Sequence, residues 1–383
     1  MPARMPGADS GDVIVHVFGL TDVGRTREHN EDSFLVVDLT EDNDTLQLEV
    51  QTHIGGPRGS LFMVADGLGG AAAGEIASDL AVQTVHEYLR THWSNSTDEG
   101  PEAFATAIKG AAETANQRIY AHAQDHPENR GLGTTATIAG LLGDTLFLAQ
   151  VGDSRAYLLR HGEARQITKD QSLMQRLVEA GELTQDEAER SERRNIILQA
   201  LGPEPSVRID LTYQMLRRGD TLVLCTDGLS GLVKKDEIAE VVSQEPDLAS
   251  ACRELIERAN ENGGPDNITV IIARFEGEGL SDAGPDDHVG HAVFPLAGML
   301  DTPSAPQPRL ESAVPELPTA MPRNYERDAT PLLPAERSGA RLWIGALLII
   351  ALLVIALAVV RFARPSTPVP ATRTDSVSGR LSP

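Results

Sequence analysis

Two apolar runs of this chain each end in an aspartate that is followed by glycine. Leu61–Ala65 leads into Asp66-Gly67, and Thr221–Cys225 leads into Asp227-Gly228. Short apolar runs bounded by glycine predict buried strands with sharp turns at their ends. Carboxylates at strand ends can meet at one edge of a sheet, and such oxygen ligands suit Mg²⁺, Mn²⁺ or Ca²⁺. A single Asp-Gly more often marks a turn, so the interpretation depends on the whole set of acidic positions.

Three further acidic segments complete that set: Glu31-Asp32, Asp153 and Asp266. Arg27 stands just ahead of the first of them, and a guanidinium beside carboxylates suggests a phosphate ligand. If the carboxylates converge, two hard cations could share a bridging water, lower its pKa and bind the phosphoryl oxygens. The sequence therefore favours direct attack of water on a phosphate ester, without a covalent enzyme intermediate.

Composition excludes several other classes of protein. The formal net charge of −23 repels nucleic acid, so we expect no nucleic-acid partner. The two cysteines, Cys225 and Cys252, lie in an apolar run and a helical pattern, which leaves no disulfide framework and no cysteine zinc site. A reducing cytosol fits this usage.

The C-terminal part of the chain differs from the rest. Residues 342–360 are apolar and free of charge, long enough to cross a bilayer, with Trp343 and flanking arginines as interface anchors. We predict a flexible N-terminus at 1–12, one catalytic domain at 13–276, a disordered Pro-rich linker at 277–341, a transmembrane helix at 342–360 and a disordered tail at 361–383.

Two signals conflict over the orientation of that span. The tail carries more arginines than the segment before the span, which favours a cytoplasmic tail. That orientation would carry a large, cysteine-poor domain across the membrane without a signal peptide. We therefore expect a single-pass protein of the cell membrane with its catalytic domain in the cytoplasm.

Periodicity within the domain predicts many strands joined by tight turns, together with long helices in pairs. Residues 75–89 have a helical spacing of apolar positions, and Pro101 opens a second helix. Thr184 with Glu187 forms a capping box in the charged segment 171–201. The pattern predicts an α+β fold of layered antiparallel sheet with helices outside.

Six segments of the chain resemble, in order, the motifs of the metal-dependent protein phosphatases of the PP2C (PPM) family, most closely its bacterial branch. The likeness covers residues 14 to 275. Its segments are TDVGRTREHNEDS (21–33), FMVADGLGG (62–70), GTTA (133–136), VGDSR (151–155), LCTDGL (224–229) and GPDNIT (264–269).

The resemblance implies an α-β-β-α sandwich, two antiparallel sheets flanked by helices, with two or three Mn²⁺ or Mg²⁺ ions at one edge. It implies that Arg27 binds the substrate phosphate and acts in catalysis with Asp66 and Asp227. The implied metal ligands are Asp66, Asp227 and Asp266 for the first ion, Asp66, the Gly67 carbonyl and Asp32 or Glu31 for the second, and Asp153 with Asp227 for a third. We expect Thr226 and Asn267 to shape loops and not to bind metal.

The implied activity is hydrolysis of phosphoserine and phosphothreonine in proteins. By analogy with bacterial relatives, the enzyme would oppose a membrane Ser/Thr kinase, and we expect a monomeric catalytic domain. The alternative is a catalytically weak, membrane-tethered module that binds phosphoproteins. The intact carboxylates Asp66, Asp227 and Asp266 count against that alternative.

Two positions depart from the family pattern. Leu68 stands where many eukaryotic relatives carry a histidine thought to protonate the leaving group, so proton delivery must come from metal-bound water or elsewhere. Gln171 stands where many relatives carry histidine, at the entry to segment 171–201, which the resemblance implies to be the flap beside the active site. We expect this change to affect substrate preference.

Other local patterns compete with this interpretation. Ser154 lacks the partners of a serine nucleophile. His122 and His126 have a zinc-compatible spacing, but Pro127 ends the helix beside them, which favours a solvated helix end. Gly67 and its neighbouring glycines lack the Lys-Ser/Thr of a nucleotide loop, so close backbone packing near a metal is the better explanation.

Overall fold

The computed structural model describes residues 11–41, 51–69, 73–129, 131–191, 193–285 and 287–296. All of them belong to the first of two units into which the chain divides, Met1–Gln307. The span predicted at 342–360 and the tail after it lie outside the described residues. Within the described ranges, no helix has the combination of length and hydropathy needed to cross a membrane.

The described residues form twelve strands, seven α-helices, a π-helical turn at Arg90–Ser94 and a 3₁₀ turn at Pro127–Asn129. In chain order the strands and α-helices are β1 (Ile14–Asp22), β2 (Asp32–Asp38), β3 (Gln51–Ile54), β4 (Ser60–Leu68), α1 (Ala73–Leu89), α2 (Pro101–Asp125), β5 (Gly133–Thr134), β6 (Ala136–Leu142), β7 (Thr145–Val151), β8 (Arg155–Arg160), β9 (Glu163–Gln166), α3 (Leu173–Glu179), α4 (Gln185–Glu189), β10 (Asp210–Met215), β11 (Thr221–Cys225), α5 (Asp227–Ser230), α6 (Lys235–Gln244), α7 (Leu248–Glu261) and β12 (Ile268–Glu276).

The strands form two antiparallel sheets. The first has the order β3-β1-β12-β11-β8-β9, and the second has the order β10-β7-β6-β4-β2, with β5 pairing the end of β4. The turn between β7 and β8 therefore passes from one sheet to the other, and so does the connection between β1 and β2. Because these two connections cross between the sheets, the residues within them lie at an edge that the two sheets share.

The core has three layers of apolar side chains, and β12 shows how one strand serves two of them. Ile271, Ala273 and Phe275 face the layer between the two sheets. Val270 and Ile272 alternate with them and face α6 and α7 on the outside of the first sheet. A third layer packs α1 and α2 against the second sheet. The order helix, sheet, sheet, helix confirms the predicted sandwich.

Local signals explain where several elements begin. Pro101 begins α2, where its missing N–H costs no helical hydrogen bond. Thr184 and Glu187 form the predicted capping box at the start of α4. Strand β4 is apolar on both faces because sheet and helix layers cover it on either side.

The ordered domain continues past the predicted boundary at residue 276. Residues 277–285 and 287–296, called here the C-terminal strap, run back along β10. The Tyr213 N–H donates to the Ala292 carbonyl (2.9 Å), and the Phe294 N–H donates to the Leu211 carbonyl (3.0 Å). The Phe294 ring packs edge-on against Phe147, with centroids 5.3 Å apart. The sequence assigned these residues to the linker because their prolines and acidic residues obscure this apolar anchor.

Candidate active site

Aspartates from both sheets gather at one edge of the sandwich. Asp32, at the start of β2, lies opposite Asp66 of β4 in the antiparallel register. Asp227 begins α5 directly after β11, and Asp266 precedes β12, the strand that pairs with β11. Asp153 lies in the turn between β7 and β8. The strand ends thus bring together carboxylates that are up to 234 positions apart in sequence, between Asp32 and Asp266.

The protein environment raises the pKa of four of these carboxyl groups. Burial raises the pKa of Asp32 to about 7 and that of Asp153 to about 8. Crowding by protein atoms also raises the pKa of Asp66 and Asp227, although both keep part of their surface open to solvent. Neighbouring negative charges add to each of these shifts; for Asp66 they include Asp266. Carboxyl groups that repel each other at a solvent-accessible edge favour a bound cation.

Asp32 has one oxygen that is satisfied and one that is not. Its Oδ2 accepts hydrogen bonds from Thr226 Oγ1 (2.9 Å) and Thr269 Oγ1 (2.7 Å). Its Oδ1 is buried and has no hydrogen-bond partner among the described residues. A buried oxygen without a partner costs free energy that a cation would recover.

The set of ligands suits a hard divalent cation. No three His, Cys, Asp or Glu side chains in the described part of the chain converge tightly enough to form a finished metal site. The potential ligands are nevertheless all oxygens, and Asp32 Oδ1 is unpaired. Burial, with neighbouring negative charge, raises the pKa values of Asp32, Asp66, Asp153 and Asp227. Oxygen-only ligands are those that Mg²⁺ and Mn²⁺ prefer.

Arg27 is the cationic side chain at this edge. Its Nη2 donates to Asp266 Oδ2 (2.9 Å), and its Nη1 lies 4.0 Å from Glu31 Oε2. The side chain is 46% exposed, so the rest of its guanidinium fork remains accessible. An anchored but exposed guanidinium is well placed to meet a phosphate that arrives from solvent.

Gly67 lies where two backbone segments approach closely. A Cβ at this position would lie 2.3 Å from the Gly74 carbonyl oxygen and 2.4 Å from that of Glu31. The Gly67 N–H donates to the same Glu31 carbonyl (3.1 Å). This contact brings Glu31 against the first turn of α1, where the helix dipole favours a negative charge. Close backbone packing is therefore the reason for glycine here, as the sequence predicted.

Asn267 joins the first acidic segment to the last. Its Oδ1 accepts from the Glu31 N–H (2.8 Å), and its Nδ2 donates to the Val23 and His29 carbonyls (3.0 Å each). Gly228 packs against the same residue so closely that a Cβ would lie 1.9 Å from the Asn267 carbonyl oxygen. The interpretation of Asn267 as a residue that shapes loops is confirmed.

The flap is attached to the aspartate cluster at its base. Arg155 forms a bidentate ion pair with Asp170, with an Nη2 to Oδ2 distance of 2.7 Å. The Gln171 N–H donates to the Gly152 carbonyl (2.8 Å), and its side-chain Oε1 accepts from the Gly152 N–H (3.0 Å). Gln171 is 7% exposed. Its side chain therefore holds the turn that carries Asp153, and the expected effect on substrate preference finds no support in these contacts.

Sequence reasoning missed two hydroxyl groups that contact Asp32, and it did not identify the proton donor for the leaving group. Thr269 was not singled out, although a threonine within an otherwise apolar strand is a signal for a buried polar partner. Thr226 was assigned only to loop shaping, whereas its hydroxyl also donates to Asp32. Leu68 is half-buried and pairs with Gly133 of β5, so the structure offers no proton donor at that position.

Comparison with known proteins identifies the class to which this fold and site belong. Residues 43–272 match the family model of protein phosphatase 2C. The serine/threonine phosphatase stp of Listeria monocytogenes is 34% identical over 258 residues, which cover 67% of this chain and 95% of that protein. This chain therefore belongs to the protein phosphatase 2C family, and the resemblance drawn from its motifs is confirmed.

Solved structures agree with this assignment. The serine/threonine phosphatase PstP/Ppp of Mycobacterium tuberculosis is 35% identical, has a TM-score of 0.58 and covers 69% of this chain and 99% of that chain. The catalytic domain of PstP in complex with two manganese ions is 34% identical, has a TM-score of 0.55 and also covers 69% of this chain and 99% of that chain. The prediction that this chain is a phosphatase is confirmed by these relatives.

Proposed function

We propose that this protein hydrolyses phosphoserine and phosphothreonine in proteins, and that it needs Mn²⁺ or Mg²⁺ to do so. The observation that carries the proposal is the aspartate cluster at one edge of the sandwich, in which Asp32 has a buried Oδ1 without a hydrogen-bond partner among the described residues. The named activities of the similar proteins support the substrate class. The two manganese ions of one similar structure support the cofactor.

Each residue of the cluster has a proposed role. Asp66, Asp227 and Asp266 would hold a first ion, and Asp66, the Gly67 carbonyl and Asp32 or Glu31 would hold a second. Asp153 with Asp227 would hold a third, weaker ion. Bound ions would supply a water nucleophile of lowered pKa and neutralise charge on the phosphoryl oxygens.

Arg27 would bind the substrate phosphate. Its guanidinium can keep one N–H on Asp266 and offer others to two phosphate oxygens, because the fork has five N–H donors in fixed geometry. Thr226 and Thr269 would fix the orientation of Asp32, which leaves Oδ1 as the oxygen that faces a cation.

Release of phosphate from a phosphothreonine peptide tests the proposal. We expect turnover with Mn²⁺, loss of turnover after a chelator is added, and loss of turnover with Mn²⁺ in Asp227→Asn. Equal rates under the three conditions would refute metal-dependent hydrolysis. The alternative, a catalytically weak module that binds phosphoproteins, would require phosphopeptide binding by wild type without any release of phosphate.

We also propose that the protein is tethered to the cell membrane by residues 342–360, with the catalytic domain in the cytoplasm. The support is the uncharged apolar run with its arginine and tryptophan flanks. A tether would raise the local concentration near membrane-bound phosphoproteins, among them a Ser/Thr kinase. Protease treatment of sealed vesicles is the test, and digestion of the domain from the outer face would contradict the orientation.

A further inference from the structure

Two large apolar side chains of the flap lie exposed to solvent. Ile196 is 43% exposed and Leu198 is 45% exposed. Among the described residues, Ile54 and Val293 are the other large hydrophobic side chains exposed to this degree. Single exposed apolar residues need no explanation, but a pair on one short segment is a candidate contact surface.

The backbone of the flap directs both side chains to the same side. The Leu173 N–H donates to the Ile196 carbonyl (2.8 Å), and the Leu198 N–H donates to the Gln171 carbonyl (2.7 Å). Ile197 thus forms an isolated antiparallel bridge with Ser172, with these two hydrogen bonds on either side of it. Because side chains alternate across such a bridge, Ile196 and Leu198 lie on the side opposite to Ile197. Ile197 points the other way and is half-buried.

This apolar pair is connected to the aspartate cluster by a short path. Gln171 accepts the hydrogen bond from Leu198 and also donates to Gly152, the neighbour of Asp153. The flap segment that carries Ile196 and Leu198 is thus hydrogen-bonded to the turn that carries Asp153, which places the apolar pair beside the aspartate cluster.

Charge on this part of the flap suits an anionic partner. Arg193 and Arg194 are both exposed, and neither forms an ion pair with a described residue. A protein of net charge −23 repels anionic molecules in general. A phosphorylated segment would meet two unpaired guanidinium groups beside an apolar surface, and both features lie next to the carboxylates that would receive its phosphate.

We infer that Ile196 and Leu198 bind an apolar side chain of the phosphoprotein substrate, close in sequence to the phosphorylated residue. The inference rests on the proposed phosphatase function and adds a preference to it. The phosphorylated residue would enter the aspartate cluster while the flanking chain lies extended along residues 196–198. Substrates with leucine or another large aliphatic residue near the phosphothreonine would be favoured over those with alanine.

A matched set of phosphothreonine peptides tests this inference. Each peptide has an alanine background and one leucine, moved from four residues before the phosphothreonine to four residues after it. The measured quantity is kcat/KM of the Mn²⁺-loaded protein, expressed as the ratio to the all-alanine peptide. At the best position we expect a ratio of about five, because partial burial of a leucine side chain yields a fraction of its full transfer free energy.

Variants of the flap then test whether Ile196 and Leu198 cause the preference for leucine. In Ile196→Ala/Leu198→Ala we expect the ratio to fall to about one, and in Ile196→Gln/Leu198→Gln as well. Ile196→Val/Leu198→Met should retain most of it. Ile54→Ala, at the exposed isoleucine of β3, is the matched control and should keep the wild-type ratio.

Four outcomes would overturn the inference, and they are distinguishable. A wild-type ratio of one at every position, or an unchanged ratio in both double variants, refutes the docking site and leaves the phosphatase function intact. Sedimentation that shows a wild-type dimer and a monomeric double variant would assign the surface to a second copy of the chain instead. Absence of any p-nitrophenyl phosphate hydrolysis by wild type with Mn²⁺ would refute the proposed function itself.

Discussion

Acidic side chains with little access to solvent occur in two regions of this molecule, and they differ in what compensates their charge. Asp220 is 1% exposed and forms a bidentate ion pair with Arg160, with an Nη2 to Oδ2 distance of 2.6 Å. Its Oδ2 also accepts from the Arg217 N–H (2.8 Å). Asp32 is 7% exposed, and it has two threonine hydroxyls as partners and no cationic side chain among its hydrogen bonds.

The difference separates a structural ion pair from a centre that needs a cation. A buried carboxylate paired with arginine holds two segments together, and removal of one partner leaves the other charge uncompensated. Carboxylates gathered without such a partner disfavour their own ionised forms. The sequence contains both kinds of aspartate, and we infer from their environments that Asp220 stabilises the structure and that Asp32, with its neighbours, serves the proposed metal site.

Asp66→Asn should have the largest effect on activity. It removes a carboxylate proposed to contact two ions, and we expect kcat/KM to fall by about a thousandfold or more. The metal-free variant should unfold at the same or higher temperature than metal-free wild type, because one repulsive charge is gone. Phosphate release and thermal unfolding, measured on the same sample, check both parts. A variant that keeps its activity would contradict the proposed role.

Asp220→Asn is the same substitution made at the buried Arg160–Asp220 ion pair. We expect it to lower stability and to leave catalysis unchanged. Loss of the carboxylate leaves Arg160 buried without its partner, which should lower the free energy of unfolding by about 3–5 kcal/mol. Urea denaturation measures this loss, and turnover of the folded fraction should match wild type. An unchanged urea concentration at the unfolding midpoint would show that this ion pair does not stabilise the fold.

The metal-free protein should lose stability as the pH rises from about 6.5 to about 8. Burial raises the folded pKa of Asp32 to about 7 and of Asp153 to about 8. Both groups are therefore still protonated when folded at a pH where the unfolded chain has already released these protons. The folded state binds more protons, so its stability falls with rising pH until the folded pKa is passed.

Added Mn²⁺ should reverse this trend. It competes with protons for the same carboxylates, so its stabilising effect should be larger at the higher pH, by roughly 5 °C or more in Tm. Thermal unfolding at both pH values, with chelator and with Mn²⁺, is the measurement. If Mn²⁺ raised Tm equally at both pH values, the metal would not be competing with protons for Asp32 and Asp153.

Arg27→Ala should raise KM more than it lowers kcat, because the guanidinium would bind the phosphate of the substrate as well as that of the transition state. We expect a change of about tenfold in kcat/KM, carried mainly by KM. Steady-state kinetics on a phosphothreonine peptide measure how the loss divides between KM and kcat. A pure loss of kcat would indicate that Arg27 acts only in the transition state.

Phe294→Ala should have the smallest effect, confined to the C-terminal strap. The ring is half-buried, so its loss should cost about 1–2 kcal/mol and speed hydrogen exchange at the Phe294 amide. Val293→Ala is the control, because Val293 is 66% exposed and should be close to neutral. If the residue-294 amide exchanged its hydrogen equally slowly in both variants, the strap would be held by its backbone contacts alone.

The sequence predicted the strands best where apolar runs ended in turn residues. Strand β11 has the predicted bounds, Thr221–Cys225, because each of its residues is buried between covering layers. The helix predicted from residue 75 also ends at Leu89 as expected. The strap was missed because the apolar run at 292–296, from which Phe294 and Leu296 pack against the core, is short, contains Pro295 and follows a polar, acidic stretch.

The candidate site was predictable in its residues but not in its contacts. Ordered motifs pointed to the aspartates, since carboxylates at strand ends have a recognisable local pattern. The hydroxyls that orient Asp32 come from β12 and the residue after β11, and only the pairing of strands reveals that they meet. Gln171 likewise required the tertiary contact with Gly152 before its positioning role became visible.

Titration calorimetry of the chelator-treated protein with Mn²⁺ tests the assignment of the aspartate cluster most directly. Wild type and Asp220→Asn should bind Mn²⁺ saturably and release protons to the buffer near pH 7, because the metal displaces protons from Asp32 and its neighbours. Asp66→Asn should bind at least about tenfold more weakly. Wild type that binds no Mn²⁺, or Asp66→Asn that binds it as tightly as wild type, would contradict the assignment.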